Sequence, residues 1–108
     1  MPDPNTPPYA IAGKETILAT AEARATLMTL DPGQSIPPHR HSHVTDHTFC
    51  LAGTAVLSLC DPPETVTLRP GDRSSVPPGR VHTVANPGPD KARLLLLQGP
   101  GAYDFLPA

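Results

Sequence analysis

The histidines of this chain are confined to two places, and their spacing suggests a metal site. Of five histidines, four lie between positions 39 and 47 and the fifth is His82. In His39-Arg40-His41, alternate side chains of an extended strand share a face about 6.6–6.8 Å apart, so both imidazoles could reach one ion. A third ligand must come from elsewhere in the chain. Imidazole ligands suit Zn, Cu, Fe and Ni, and a carboxylate adds Mn.

Length and composition exclude several classes of partner. The 108-residue chain is the size of one domain, with a formal net charge of −2. Lys and Arg are not clustered, which argues against binding to nucleic acid or a membrane surface. There is no apolar stretch near the ~20 residues of a membrane helix, and the N-terminus lacks the features of a signal peptide, so we expect a cytoplasmic protein. We expect Cys50 and Cys60 to be reduced thiols, with Cys50 buried.

Sixteen prolines and eight glycines separate short apolar runs, a pattern typical of an all-β sandwich or barrel. We expect two strands between Glu15 and Leu30, although a helix is the rival interpretation. Asp46–Leu51 and Thr54–Cys60 read as a hairpin around Ala52-Gly53. The apolar run Ala92–Gln98 predicts a central strand, and a short edge piece is expected at Tyr103–Leu106.

Two groups of residues with regular spacing span positions 33–86, half of the chain. The first group contains Gly33, His39, His41, Asp46 and Gly53, and the second contains Gly71, Pro77, Gly79, His82 and Asn86. Their order and spacing resemble the two conserved motifs of the cupin family. The second group matches at every defining position. The first departs from the pattern at Asp46, where the family usually has Glu.

The resemblance implies an all-β fold, the double-stranded β-helix or jelly-roll barrel of cupins. We expect a flexible N-terminal arm at residues 1–13 and a single barrel domain at residues 14–108. The resemblance also implies one divalent transition metal (Fe, Mn, Ni, Zn or Cu) inside the barrel. By position, its ligands would be His39, His41 and His82, with Asp46 in the place of the carboxylate.

Three arrangements are open for Asp46, because its side chain is one methylene shorter than Glu. It could bind the metal directly, bind through water or orient a ligand, or leave a site of three histidines. A slip of one residue in strand register would bring His47 inward instead. His43 continues the alternation of His39 and His41 and could also point inward, although a solvated imidazole is the preferred interpretation for His43 and His47.

Three functions are compatible with such a site. The favoured one is a metal-dependent enzyme acting on a small organic molecule, with dioxygenase-like cleavage of an enol or diketone as the leading example. The second is an isomerase or lyase, with His43 or His47 as the base. The third is a non-catalytic module that binds a small ligand or a metal. Arg80 could meet an anionic substrate at the barrel mouth, and we expect a homodimer.

Overall fold

The computed structural model describes residues 9–108, which form ten β-strands and no helix. The strands are β1 (Gly13–Ala19), β2 (Arg24–Leu30), β3 (Ser35–Arg40), β4 (Thr45–Ala52), β5 (Ala55–Leu59), β6 (Glu64–Leu68), β7 (Arg73–Val76), β8 (His82–Ala85), β9 (Ala92–Gly99) and β10 (Leu106–Pro107). They build two antiparallel five-stranded sheets, in the orders β1-β2-β9-β4-β7 and β10-β3-β8-β5-β6. The all-β prediction is therefore confirmed, and β9 is the central strand of its sheet, as expected.

The stretch for which a helix was the rival interpretation forms two strands with side chains that alternate between faces. In β2, Thr26, Met28 and Leu30 are buried and the residues between them are partly exposed. This period of two is what a strand with one face on the core requires. The threonines of this stretch and the absence of a helical apolar stripe are the sequence features that favour strands over a helix.

The predicted hairpin around Gly53 is wrong, because β4 and β5 belong to different sheets. β4 pairs with β7 and β9, whereas β5 pairs with β6 and β8. The short connection therefore carries the chain from one sheet to the other. A turn signal between two apolar runs does not distinguish these cases, since both need a tight reversal of the chain.

The core lies between the two sheets and fills most of the barrel with aliphatic side chains. Its buried members include Met28, Leu30, Ile36, Cys50, Leu57, Leu68, Val76, Val84, Leu94 and Leu96. Polar side chains replace them at one end, where the first sheet contributes Asp46 from β4 and the second contributes His39 from β3 and His82 from β8. The fold thus brings residues from both sheets to a single point.

Residues 1–8 of the predicted arm lie outside the described residues. Just after them, Tyr9 and Ile11 pack against the core. Cys50 is buried and Cys60 exposed, and both are free thiols, as expected. The described part of the chain has no helix that is long and apolar enough to cross a membrane.

Substitution of Gly53 tests how closely the connection between β4 and β5 packs against its neighbours. Its φ is +74°, and an added Cβ would lie 2.3 Å from the Lys91 carbonyl oxygen. Gly71 has a φ of +95° but nothing within 4 Å of such a Cβ. We expect Gly71→Ala to lower the free energy of unfolding by about 1 kcal/mol through backbone strain, and Gly53→Ala by ~3 kcal/mol or more because the clash adds to it. Equal losses in urea unfolding would contradict the close approach.

Candidate metal centre

Four buried side chains converge at the polar end of the barrel. His39 lies on β3 directly opposite His82 of β8, His41 follows the end of β3, and Asp46 lies on β4 of the other sheet. Each is no more than 3% exposed. One potential ligand atom from each residue lies within 4.8 Å of the others. The structure therefore brings together all four residues expected to surround a metal.

The histidine rings are oriented by backbone carbonyl groups. Nδ1 of His39 donates to the Pro37 carbonyl at 2.8 Å, and Nδ1 of His82 donates to the Arg80 carbonyl at 2.9 Å. Nδ1 of His41 donates to the Asp104 carbonyl. Because a carbonyl can only accept, the proton of each neutral ring lies on Nδ1 and the Nε2 lone pair is free. This is the tautomer that an Nε2-bound metal requires.

The centre of the cluster contains more acceptors than donors. Oδ2 of Asp46 lies 3.1 Å from Nε2 of His41 and 3.2 Å from Nε2 of His82. In the neutral tautomers both contacts join two acceptors, which repel unless a proton or a metal ion lies between them. Oδ1 of Asp46 is buried and has no hydrogen-bond partner. The cluster therefore requires positive charge at its centre.

Two of the separations between these atoms suit a shared ion. Two ligands bound at about 2.0–2.2 Å, at angles of 90–110°, lie about 2.8–3.6 Å apart. The two contacts of Asp46 fall inside this range. The shorter side chain of Asp therefore has enough reach, and these four residues could hold a metal.

The acid–base properties of the cluster reflect the same shortage of protons. Burial lowers the pKa of His39 to about 4, so this ring is neutral at physiological pH. Burial acts to lower the pKa of His41 as well, but the hydrogen bonds to Asp46 and Asp104 and the charges of these carboxylates together outweigh burial and raise the pKa. For Asp46, burial acts to raise the pKa, but the hydrogen bonds with His41 and His82 hold it below its usual range. A metal bound between His41 and Asp46 would displace any proton that these two groups share.

The segment after β9 closes the site with aromatic rings. The Phe105 ring stacks on His39 with centroids 4.6 Å apart and an angle of 18°, and the Tyr103 ring lies 5.4 Å from that of His41. Between them, Asp104 accepts a hydrogen bond from the Ser42 backbone N–H at 2.8 Å. Tyr9 packs on Phe105 at 5.6 Å. These contacts form an aromatic cap, made of Tyr9, Tyr103 and Phe105.

The cavity beneath the cap is small and mostly apolar. It has a volume of about 10 Å³, close to the minimum that one water molecule needs. Its lining includes Met28, Ile36, Val84, Leu96 and Gln98, together with the cap and the site residues His39, His41 and Asp46. A larger groove of about 410 Å³ lies at the edge of the first sheet, where outer-face residues such as His47 and Leu97 and the inner-face residues Arg24 and Gln98 line it, and none of the four site residues does.

The other candidates from the sequence lie outside this cavity. His43 is exposed, because residues 42–43 form a bend and the alternation of a strand does not continue through them. His47 points to the outer face of β4 and its Nδ1 lies 2.7 Å from Oγ of Ser75. Asp46, and not His47, therefore points inward. Arg80 is engaged by the Cys60 and Pro62 carbonyls and by Glu64, at 3.2, 3.0 and 3.1 Å.

The sequence did not identify the aromatic cap, Gln98 or Arg24 as parts of the site. Arg24 stacks its guanidinium on Tyr103, with Cζ 4.5 Å from the ring centroid. The composition contains one indication of the cap. The chain has only two tyrosines and two phenylalanines, and three of these four rings form the cap. Tyr9 lies at the start of the described chain and Tyr103 and Phe105 lie near its end, so the sequence alone does not show that these rings meet.

A two-sheet barrel with three histidines and a carboxylate at one end defines the class as a double-stranded β-helix with a candidate metal site. The model of the Cupin domain matches residues 26–97, and the chain belongs to the cupin family. A curated relative, mannose-1-phosphate guanylyltransferase of Sinorhizobium fredii, is 29% identical over 91 residues. The match covers 84% of this chain and 17% of that protein, so the chain spans less than a fifth of the relative's length.

Solved structures with the same fold support this assignment. A conserved protein with a double-stranded β-helix domain from Klebsiella pneumoniae is 26% identical, with a TM-score of 0.81. The match covers 95% of this chain and 84% of that one. An oxalate oxidase structure gives a TM-score of 0.74 at 17% identity, over 80% of this chain and 46% of that chain, and this likeness shows the fold alone.

Metal content tests the site directly. We expect about one equivalent of divalent metal per chain in protein purified without an affinity tag, measured by mass spectrometry. His39→Ala and Asp46→Ala should each weaken metal binding by more than the roughly 10- to 100-fold that loss of an outer-sphere partner costs. His47→Ala, on the outer face, should keep the metal. Retention of metal by Asp46→Ala would indicate a site of three histidines.

Proposed function

We propose that this protein is a metal-dependent enzyme that acts on a small organic molecule, and that oxidative cleavage with molecular oxygen is its reaction. The observation that carries the proposal is the cluster of acceptors at the end of the barrel. Three Nε2 lone pairs and the Asp46 carboxylate face one another in a buried space, and two of these contacts are near 3.1 Å. A divalent cation balances this arrangement better than protons do.

The types of the four ligand groups limit which metals could bind and which reactions those metals could support. Three imidazoles and one carboxylate suit Fe, Mn, Ni, Zn or Cu, whereas Mg and Ca prefer oxygen ligands. When bound, such a metal would polarise the substrate and, if it is redox-active, give access to oxygen chemistry. The shared fold with oxalate oxidase is compatible with an oxidative reaction. Nucleotidyl transfer is not part of the proposal, because this chain spans only 17% of the relative that carries that name.

The residues around the cluster would serve this reaction by controlling water and orientation. The carbonyl groups of Pro37, Arg80 and Asp104 hold the imidazoles in one orientation. The aromatic cap excludes bulk water, which strengthens electrostatic interactions inside the cavity. Gln98, opposite Asp46 on the neighbouring strand, places a carboxamide in the cavity wall.

Isomerase or lyase chemistry is a second candidate, favoured by one observation. Tyr103 lines the cavity beside His41, and burial raises the pKa of its phenol, so the hydroxyl keeps its proton near neutral pH. A protonated phenol beside a polarised substrate can act as a general acid. His43 and His47 do not face the cavity, so the transferred proton would pass through Tyr103 and not through them.

Oxygen consumption separates the two reactions. We expect the Fe(II)-loaded protein to consume oxygen with at least one enol or diketone in a substrate panel, and the Zn(II)-loaded protein to consume none. His82→Ala should abolish the consumption, while His47→Gln, on the outer face, should retain it. Conversion of a substrate by the Zn(II) protein without oxygen, lost in Tyr103→Phe, would favour the isomerase or lyase. If the protein binds a compound of the panel stoichiometrically but converts none with either metal, it is a non-catalytic binding module.

The homodimer stays a prediction, and the structure offers a surface on which to test it. The outer face of the first sheet exposes Leu18 and Leu97, 54% and 37% respectively, around the 410 Å³ groove. If this face pairs with its copy, Leu97→Glu should convert a dimer to a monomer in light scattering, because the charge would be buried. Thr65→Glu, exposed on the other sheet, should not. A monomeric wild type would refute the prediction. The cytoplasmic location also stays a prediction.

A further inference from the structure

Two cationic side chains of the first sheet lie opposite residues that line the cavity, although neither lines the cavity itself. Lys14 of β1 is directly opposite Met28, and Arg24 of β2 is directly opposite Gln98. Residues opposite each other in an antiparallel pair share a face. Both Met28 and Gln98 line the cavity, so both cations are placed on the cavity side of their strands.

A single aromatic ring, that of Tyr103, lies between Arg24 and the candidate metal ligand His41. Its Cζ lies 4.5 Å from the centroid of the Tyr103 ring, whose other neighbour is His41 at 5.4 Å. Gln98 stands between Arg24 and Asp46 in the strand order, paired with each. The row Arg24, Gln98, Asp46 therefore runs across the sheet from the rim to the candidate metal ligand.

Neither cation has an anionic partner in the described part of the chain. The ion pairs of Lys and Arg between residues 9 and 108 are Arg80 with Glu64 and Lys91 with Asp31. The two cations lie four residues apart along β2, with Lys14 beside Met28 and Arg24 opposite Gln98. Burial, and after it the Arg24 charge, lowers the pKa of Lys14. Two partly buried positive charges that form no ion pair with a described carboxylate are available to attract an anion.

We propose that Lys14 and Arg24 bind an oxyanion group of the substrate, so that the enzyme acts on small organic molecules that carry a carboxylate or a phosphate. This inference rests on the proposed function, because it places the substrate beside the candidate metal. Arg24 would contribute a planar pair of donors that matches a carboxylate or phosphate, and Lys14 a point charge. Arg80, the cation that the sequence suggested for this role, is already engaged by Glu64.

The size of the cavity determines how the anion would reach Arg24. Arg24 lines the groove of about 410 Å³, together with Gln98, whereas the space of about 10 Å³ beside the candidate metal ligands does not hold an organic acid. For one substrate to reach both Arg24 and the metal, the Tyr103 ring between them must move away from Arg24. The cation–π contact is then exchanged for a charge-assisted hydrogen bond, which is stronger in a partly buried site. Arg24 would thus hold the cap closed in the free protein and bind the substrate in the complex.

Calorimetric titration of Zn(II)-loaded protein tests the proposal with matched charged and neutral probes. The carboxylate arm compares glycolate with ethylene glycol, and the phosphate arm compares glycerol 3-phosphate with glycerol. We expect at least one anion to bind roughly tenfold or more tightly than its neutral partner, as a charge-assisted contact predicts. The arm that shows this preference identifies the group.

The variants assign the preference to the cation pair. Arg24→Gln and Lys14→Gln should each reduce anion affinity about tenfold, while Arg24→Lys should lose much less because it keeps the charge. Arg93→Gln, which removes an exposed arginine of β9 on the same sheet, should bind as the wild type does. Tyr103→Ala should bind the anion more tightly, since the competing ring is gone.

The metal content of every sample, measured in parallel, keeps the two proposals separable. Unchanged anion affinity in both Arg24→Gln and Lys14→Gln with the metal retained would overturn the anion site and leave the metal site standing. Equal binding of charged and neutral probes by the wild type, or no binding of either anion, would overturn it as well. If the wild type holds no metal, the proposed function fails, and the same titrations on metal-free protein still decide whether the cation pair binds anions.

Discussion

A buried group of hydrogen-bond acceptors is stable only when positive charge lies between them, and this constraint governs the polar end of the barrel. Three backbone carbonyl groups accept hydrogen bonds from the Nδ1–H groups of His39, His41 and His82, which leaves every Nε2 lone pair directed inward. Asp46 adds a carboxylate to the same space, with one oxygen near two of the rings and the other without a partner. The backbone thus prepares a site that a cation completes.

Each of the two sheets contributes part of this site. The second sheet carries His39 and His82 on neighbouring strands, whereas the first carries Asp46 on β4. The distances of 3.1 and 3.2 Å to Asp46 depend on how closely the sheets approach at this end of the barrel. Packing of aliphatic side chains elsewhere in the core sets that approach, so the hydrophobic core positions the chemistry although it takes no part in it.

The segment that carries Tyr103 and Phe105 of the cap contacts the candidate metal ligands directly. Asp104 uses its backbone carbonyl to orient His41 and its side chain to accept from Ser42, while Phe105 stacks on His39. A shift of this segment to admit a substrate would therefore also change the environment of two imidazoles. Access, orientation of the candidate ligands and the exposure of Arg24 are in this way coupled through one short segment.

The sequence by itself determined the all-β fold, and its resemblance to the two cupin motifs implied the four residues of the cluster while leaving open whether Asp46 or His47 points inward. Local rules are sufficient for the strands, since the alternation of side chains acts within a few residues. Alternation did not extend through the bend at residues 42–43, so the position of His43 depended on the fold. The hairpin expected at Gly53 was wrong because a turn does not specify which strands pair. Only the tertiary structure brought Tyr9, Arg24 and Tyr103 together around the cavity, since contacts between residues far apart in the chain depend on how the sheets pack.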